Sequence, residues 1–188
     1  MKLLIVVDMQ NDFVTGALRN EDAIAIVKNV RAKVGEYAMA EDRRVIFTLD
    51  THNDDYLETE EGKNLPIPHC IRGTKGHRII DELAYFADRD NCVYKTTFGS
   101  LDLSVLINRI DYREEDVESI ELIGLCTDIC VIANAVICKS ALPNIPIYVD
   151  ASCCAGVTPE SHDTAIKAMK SLQIHILNEG EEPWRKTL

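Results

Sequence analysis

The sequence lacks any apolar stretch that approaches the roughly 20 residues needed for a membrane-spanning helix. The apolar run near the N-terminus, Leu3–Val7, follows a single lysine, ends at Asp8 and has no small-residue cleavage site. These features distinguish it from a secretory signal and favour a buried strand. We therefore expect a protein that does not span a membrane.

Basic residues are also scarce. The chain has 20 lysines and arginines against 31 aspartates and glutamates, which gives a formal net charge of −11, and it has no local basic cluster. Binding to nucleic acids and to anionic membranes is dominated by basic side chains. The composition therefore predicts neither a nucleic-acid partner nor a membrane partner.

Short disulfide spacings are absent as well. The seven cysteines are an odd number and are scattered along the chain. In a domain of this size, such a pattern favours reduced thiols and hence a cytoplasmic protein. Most of these cysteines should be small core residues, and at most one or two should take part in chemistry.

The chain has no internal repeat, low-complexity tract or linker-like change of composition, so we predict one domain over residues 1–188. Short apolar segments predict six buried strands: Leu3–Val7, Val45–Leu49, Cys92–Tyr94, Ile120–Ile123, Ile145–Val149 and Ile174–Leu177. Helices are expected between them at about 21–40, 77–87, 101–110, 128–141 and 160–171. This alternation predicts the α/β class, as a three-layer α/β/α sandwich with a mostly parallel six-stranded sheet.

Polar residues collect where the predicted strands end, which is the edge at which open α/β sheets bind ligands. They are Asp8, Asp50, Lys95, Gly124–Cys126 and Asp150. A long irregular segment, residues 51–76, follows the second strand. Loops of that length inside a compact domain are commonly functional. We therefore expect the active site at this edge, with the long loop beside it.

The segment GLCTDICV, residues 124–131, joins the fourth strand to the next helix. Thr127 or Asp128 can cap that helix, which places Cys130 in its first turn. The N–H groups and the dipole of a helix N-terminus lower a thiol pKa and can hold a developing oxyanion. Cys130 is therefore the candidate nucleophile, with a plain buried core thiol as the alternative. Cys126 competes for the role, but it precedes the helix.

Asp8 and Lys95 are the candidate partners of that thiol. Asp8 follows a strongly apolar strand, which predicts a partly desolvated general base with a raised pKa; it could instead only cap the turn that follows. Lys95 ends the third strand, where it would favour the thiolate and orient the acid; a lone lysine there is more often solvated. The presence of all three residues at one edge favours the catalytic interpretation.

A metal site is predicted from Asp50, His52 and His69. The side chains of Asp50 and His52, two residues apart in the D-x-H sequence, point the same way at a strand end. His69 from the long loop could join them. Glu58 or Glu61 could add a second carboxylate. Such ligands suit Zn²⁺, Fe²⁺ or Mn²⁺, although a D-x-H match alone is weak evidence. The remaining histidines are interpreted as structural or surface residues: His77, His162 and His175.

Together these segments resemble the isochorismatase-like cysteine hydrolase superfamily and, within it, the nicotinamidases. The matching pieces are VVDMQNDF near the start, DTH at the second strand end, PHCIRGTKG in the loop, the lysine ending the third strand, and GLCTDICV. Their order and spacing run from residue 3 to about residue 178. The resemblance implies the isochorismatase-like, Rossmann-like fold. It also implies a homo-oligomer, because the family often forms dimers or tetramers.

The resemblance implies a catalytic set, taken residue by residue. Asp8 corresponds to the general base, Lys95 to the orienting cation and Cys130 to the nucleophile. A cis peptide bond is implied between Leu125 and Cys126. The backbone N–H groups of Cys126 and Cys130 would then form the oxyanion hole.

The resemblance also implies a substrate-binding and metal-binding set. Phe13 matches a residue that packs on the substrate ring. The metal ligands correspond to Asp50, His52, Glu61 and His69. The family varies between His and Glu at the fourth ligand, for which Glu58 is the reserve here. The implied cofactor is a divalent metal, with zinc as the first choice and iron or manganese as alternatives.

The implied reaction is hydrolysis of nicotinamide to nicotinate and ammonia through a thioester on Cys130, with NAD salvage as the pathway. One departure concerns the substrate. Nicotinamidases commonly carry an aromatic residue just before the histidine at position 69, whereas this chain has Leu65–Pro68, and Tyr56 or Phe98 could substitute. The first alternative is a related hydrolase of another small amide or an N-carbamoyl compound. The second is a non-catalytic binding or thiol-sensor protein on the same fold.

Overall fold

The computed structural model describes residues 1–113 and 116–187. Within those residues six strands form one sheet: β1 Lys2–Val7, β2 Arg43–Asp50, β3 Cys92–Lys95, β4 Ser119–Leu125, β5 Ile147–Ala155 and β6 His175–Leu177. Neighbouring strands all pair in parallel, in the order β3-β2-β1-β4-β5-β6. The predicted α/β fold with a six-stranded sheet is confirmed, and the sheet is fully rather than mostly parallel.

The α-helices found in the same residues are α1 Asn11–Val14, α2 Glu21–Ala38, α3 Glu60–Asn64, α4 Asp81–Ala84, α5 Leu101–Arg113, α6 Ile132–Ala141 and α7 Pro159–Ser171. Alternate residues of β1 belong to two hydrophobic cores, one on each face of the sheet. Leu3, Ile5 and Val7 pack with α5, α6 and α7, whereas Leu4 and Val6 pack with α2 and α4. Successive side chains of a strand point to opposite faces, so a strand covered on both faces must be apolar throughout. None of the described helices is long and apolar enough to cross a membrane.

Helix α7 begins where the sequence predicts a helix start. The Thr158 side chain accepts a hydrogen bond from the Ser161 N–H, the Ser161 side chain reciprocates, and Pro159 occupies the first helical position. This capping box satisfies N–H groups that have no partner inside the helix. The start of α7 is thereby fixed beside the carboxyl ends of β4 and β5.

Two predicted helices differ in the structure. The helix expected over residues 77–87 is wrong, because only the single turn Asp81–Ala84 is helical. The residues just before it pair instead with the segment that follows β1, where Ile79 forms an antiparallel bridge with Gln10. The helix expected over residues 128–141 begins as a π-helical turn, Thr127–Val131, and continues as α6.

The fifth strand corrects the prediction for Asp150. It runs on to Ala155 instead of ending at Val149, so Asp150 lies inside β5 and not at the active-site edge. The polarity of Asp150 suggested the end of a strand, but its carboxylate is paired with side chains within the fold. Lys33 Nζ lies 2.8 Å from Asp150 Oδ2, and the Asn178 amide donates to the same carboxylate.

The strand order places the remaining polar residues together. The order reverses direction between β1 and β4, and this switch point is where open α/β sheets bind their ligands. Asp8 follows β1 and Cys126 follows β4, while Asp50 and Lys95 are the last residues of β2 and β3. Their side chains are therefore brought to one crevice by the topology.

Candidate active site

Asp8, Lys95 and Cys130 form a buried contact set. Lys95 Nζ lies 2.7 Å from Asp8 Oδ2 and 3.5 Å from Cys130 Sγ. The Thr48 hydroxyl donates to Asp8 Oδ1 at 2.7 Å. Asp8 has a left-handed φ of 49°, a conformation that aspartate tolerates better than most residues. The structure thus brings together the three residues that the sequence singles out as a catalytic set.

Burial governs the pKa values of this set. Desolvation raises the pKa of Asp8 above its usual value, and the Lys95 ammonium offsets part of the rise. Desolvation also raises the pKa of Cys130 well above that of a free thiol, and the Asp8 charge adds to the effect. The expectation that the helix N-terminus lowers the pKa of Cys130 is therefore wrong. The thiol is protonated at rest beside a carboxyl group that can accept its proton.

The turn that carries Cys130 is tightly built. The Leu125–Cys126 peptide bond is cis, as the resemblance implies. The Val131 N–H donates to the Cys126 carbonyl at 3.0 Å, which closes the π-helical turn. Gly124 has a φ of 116°, and a Cβ there would lie 2.1 Å from the Val7 carbonyl oxygen, so only glycine fits this close approach of β4 to β1.

Four side chains form a group that could hold a metal ion, with all four ligand atoms within 4.8 Å of one another: Asp50, His52, Glu61 and His69. Asp50 Oδ2 lies 2.9 Å from His52 Nε2 and 3.4 Å from His69 Nε2. Glu61 Oε1 lies 3.5 and 3.6 Å from the same two nitrogens. Glu58, the reserve candidate, is exposed and outside the group.

The ring nitrogens of this group are oriented for ligation. His69 Nδ1 lies 2.9 Å from the Ile67 carbonyl, to which it must donate, so that Nε2 is left as the nitrogen facing the group. Burial disfavours the charged form of His52, but hydrogen bonds to Asp50 and Glu61 outweigh it and raise its pKa to about 9. Burial also works against a charged Asp50, yet the hydrogen bonds from His52 and His69 hold its pKa below the usual value. The group thus offers two carboxylates and two imidazoles at one point.

One cavity of about 1250 Å³ is lined by both Cys130 and the four-residue group. Phe13 also lines it and meets the His69 ring edge-on, with 5.5 Å between ring centroids. Tyr56 and Phe98 could replace the aromatic residue that is missing before His69, and both line the cavity. Tyr56 is buried against the His52 and His69 rings, whereas Phe98 is half exposed.

The family model described as the isochorismatase domain matches residues 2–179. The chain belongs to the isochorismatase family. It is similar to the nicotinamidase/pyrazinamidase of Mycobacterium tuberculosis, with 26% identity over 192 residues that cover 94% of this chain and 98% of that protein. The crystal structure of nicotinamidase PncA from Bacillus subtilis is similar with a TM-score of 0.79 and 28% identity, covering 94% of this chain and 99% of that one. These likenesses confirm the prediction of a nicotinamidase-like hydrolase acting on a small amide.

Solved structures of lower sequence identity share the fold. The pyrazinamidase of Pyrococcus horikoshii, solved in complex with zinc, has a TM-score of 0.76 at 24% identity and covers 94% of this chain and 98% of its own. The N-carbamoylsarcosine amidase of Thermoplasma acidophilum has a TM-score of 0.71 at 24% identity, covering 94% and 95%. Since both activities occur on one fold, the fold alone does not select the substrate.

Two buried amides of this isochorismatase-family chain were missed by the sequence reasoning. Gln10 accepts from the Asp50 N–H at 2.7 Å and donates to the carbonyls of Asp50 and His77 at 2.8 Å each. Asn134 donates to the Cys130 carbonyl at 2.8 Å and accepts from the Ser100 N–H at 2.9 Å. Gln10 was visible within VVDMQNDF as an amide next to an apolar strand, but Asn134 carries no signal in an otherwise ordinary helix.

Proposed function

We propose that this protein is a cysteine-dependent nicotinamidase that converts nicotinamide and water to nicotinate and ammonia. The observation that carries the proposal is the position of Lys95. Its ammonium contacts Asp8 and Cys130 and also lies 3.4 Å from Asp50 Oδ1, so the thiol and the metal-ligand group share one cation. An amide attacked by Cys130 would therefore have its ring beside the four ligands.

In the proposed reaction, Asp8 removes the proton of the Cys130 thiol. The sulfur then attacks the carboxamide carbon while the Lys95 ammonium stabilises the developing thiolate. The backbone N–H groups of Cys126 and Cys130 hold the oxyanion. Asp8 returns the proton to the amine nitrogen, ammonia departs, and a thioester remains.

Water completes the cycle in the second half. Asp8, again a carboxylate, takes one proton from the attacking water, and the thioester carbon–sulfur bond breaks. Cys130 recovers a proton and nicotinate leaves. The raised pKa of Asp8 suits both steps, because such a carboxyl group takes up a proton more readily than an ordinary carboxylate and can release it again.

The ligand group fits a zinc ion. Nitrogen and oxygen atoms at about 2.0–2.2 Å from a tetrahedral zinc lie about 3.3–3.6 Å apart. The four carboxylate–imidazole separations within the group are 2.9, 3.4, 3.5 and 3.6 Å, and three of them lie within that range. We assign Asp50, His52, Glu61 and His69 to this role, with iron or manganese as alternatives. A bound metal would accept the pyridine nitrogen and so position the ring.

The ring itself would lie among aromatic side chains. Phe13 and Phe98 both line the cavity, and Phe98 is 49% exposed. Aromatic rings pack well against a flat heteroaromatic substrate. With nicotinamide as the substrate, the reaction belongs to NAD salvage.

Ammonia release from nicotinamide, pyrazinamide, an aliphatic amide and an N-carbamoyl amide tests the proposal. The wild-type protein is compared with Cys130→Ala, each with and without prior chelation. Cys92→Ala is the matched control, because Cys92 lies at the opposite end of β3 from Lys95 and does not line the cavity. We expect nicotinamide turnover that is lost in Cys130→Ala and after chelation, and is kept in Cys92→Ala. Turnover of the non-pyridine amides alone would overturn the nicotinamidase assignment, and turnover by Cys130→Ala would overturn the thioester.

A further inference from the structure

A chain of three fully buried polar side chains lies behind the turn that carries Cys130. His162 Nδ1 lies 2.7 Å from the Thr127 hydroxyl, and His162 Nε2 lies 3.3 Å from Glu182 Oε1. All three residues have 0% exposure, and none of them lines the cavity. His162 is therefore not a surface residue, which corrects one of the two interpretations drawn from the sequence. A buried polar chain of this kind is costly to leave unsatisfied, so each partner restrains the others.

The direction of each hydrogen bond follows from its partners. Arg185 contacts the Glu182 carboxylate through its guanidinium, and this contact keeps Glu182 ionised despite its burial. An ionised carboxylate only accepts, so His162 Nε2 carries the ring proton. Burial keeps the imidazole neutral, which leaves Nδ1 as an acceptor. The Thr127 hydroxyl must therefore donate to His162 Nδ1.

Thr127 is the residue through which this chain meets the reaction centre. It is the first residue of the π-helical turn Thr127–Val131, directly after Cys126. Asp128 fastens the same turn by accepting the Val157 N–H at 3.0 Å. Gly156 allows the segment before α7 to approach His162 closely, because a Cβ there would come within 2.9 Å of the His162 backbone. The turn is thus held against the first residues of α7.

We propose that His162 is a positioning residue for the hydrolysis, oriented by Glu182 and acting on Cys130 through the Thr127 hydroxyl. The inference rests on the proposed function for its kinetic readout. His162 does not touch the cavity, so it does not bind substrate. Loss of its bond to Thr127 lets the nucleophile shift while the ring-binding side of the cavity is unchanged. The expected signature is a lower kcat with an unchanged KM.

Two isosteric variants of His162 separate its two hydrogen bonds, one to Thr127 and one to Glu182. The amide of His162→Asn can occupy the position of Nδ1 and keep the bond to Thr127, whereas the amide of His162→Gln can occupy the position of Nε2 and keep only the bond to Glu182. We expect His162→Gln to lower kcat about 10- to 100-fold, as a misplaced nucleophile does, with KM within about twofold. His162→Asn should keep kcat within about threefold.

Thr127 supplies the second pair of variants. Thr127→Val removes the hydroxyl at constant shape and should lower kcat as His162→Gln does, and Thr127→Ser should restore it. Thr164→Val on the exposed face of α7 is the matched control, since its hydroxyl only donates to the Glu160 carbonyl one turn earlier. Losses of kcat that follow thermal stability equally across all variants would overturn the inference, as would a changed KM with an unchanged kcat.

A readout that needs no amide substrate separates this inference from the proposed function. Alkylation of Cys130 by iodoacetamide, followed by mass spectrometry of its peptide, reports the position of the thiol directly. We expect the rate to change in His162→Gln and Thr127→Val and to match wild type in His162→Asn and Thr127→Ser. If no amide is hydrolysed by wild type, this pattern alone supports the positioning role, and equal rates in all variants refute it.

Discussion

The ion pair between Lys95 and Asp8 is the strongest electrostatic contact of the catalytic set, and Lys95→Met tests it. Both side chains are at most 1% exposed, and Nζ lies 2.7 Å from Oδ2. Coulomb's law at that separation gives about 6 kcal/mol with an effective dielectric constant of about 20. Removal of one partner of a buried pair costs about 3–5 kcal/mol in practice, because the other charge stays buried. We expect Lys95→Met to lower the free energy of unfolding by that amount.

Urea denaturation of wild type, Lys95→Met, Asp8→Asn and the double variant measures the coupling between the two side chains. The double variant removes both charges of this pair. Its loss of stability should therefore fall short of the sum of the single losses by about 2–3 kcal/mol. Lys28→Met, at an exposed position of α2, should change stability by less than about 0.5 kcal/mol. Losses that add within about 0.5 kcal/mol would refute the reasoning.

The pH dependence of the same variant gives a second check. Burial raises the pKa of Asp8 in the folded protein, so the folded state binds the proton more readily than the unfolded state. The stability contributed by this group is therefore greatest at low pH and falls as pH rises. In Lys95→Met the ammonium no longer offsets burial, and the pKa of Asp8 rises further. The penalty relative to wild type should widen from acid to neutral pH, and a penalty independent of pH would contradict the pairing.

Two further predictions concern the metal-ligand group. Gln10→Leu removes three hydrogen bonds that fix the backbone of Asp50 and His77, so zinc affinity measured with a chromogenic chelator should fall about 10- to 100-fold, whereas a value equal to wild type would exclude this supporting role. Zinc affinity should also increase with pH up to about 9, because hydrogen bonds outweigh burial and raise the pKa of His52 to about 9, and its proton must leave on binding. A flat affinity between about pH 6 and pH 8 would argue against ligation by His52.

Local patterns explain why most of the site could be predicted. Asp8, Asp50 and Lys95 each follow an apolar strand, and parallel strands necessarily bring their carboxyl ends to one edge. The prediction for Asp150 was wrong for a tertiary reason. Lys33 reaches it from α2, so a polar residue that resembles a strand end is satisfied inside the strand. No local pattern in the sequence records a partner 117 positions away.

The pKa of Cys130 shows a second limit of the sequence. Position in the chain places the thiol near a helix start, which by itself favours the thiolate. Only the structure shows that the side chain is 6% exposed and borders a carboxylate, so that desolvation wins and the thiol stays protonated. Burial depends on all the elements that surround an atom, and a local pattern contains just one of them.

The sequence by itself determined the fold class, the order of the strands along the chain and the residue types available for chemistry, since these follow from apolar periodicity and from spacing within short segments. The tertiary structure decided which of those residues meet. It brings Glu61 and not Glu58 into the metal-ligand group, and it places Lys95 in contact with both the Cys130 thiol and Asp50. It also forms the hydrogen bond between Thr127 and His162 behind the turn. Contacts between segments far apart in the chain depend on packing distances of a few ångströms, and no short stretch of sequence specifies those distances.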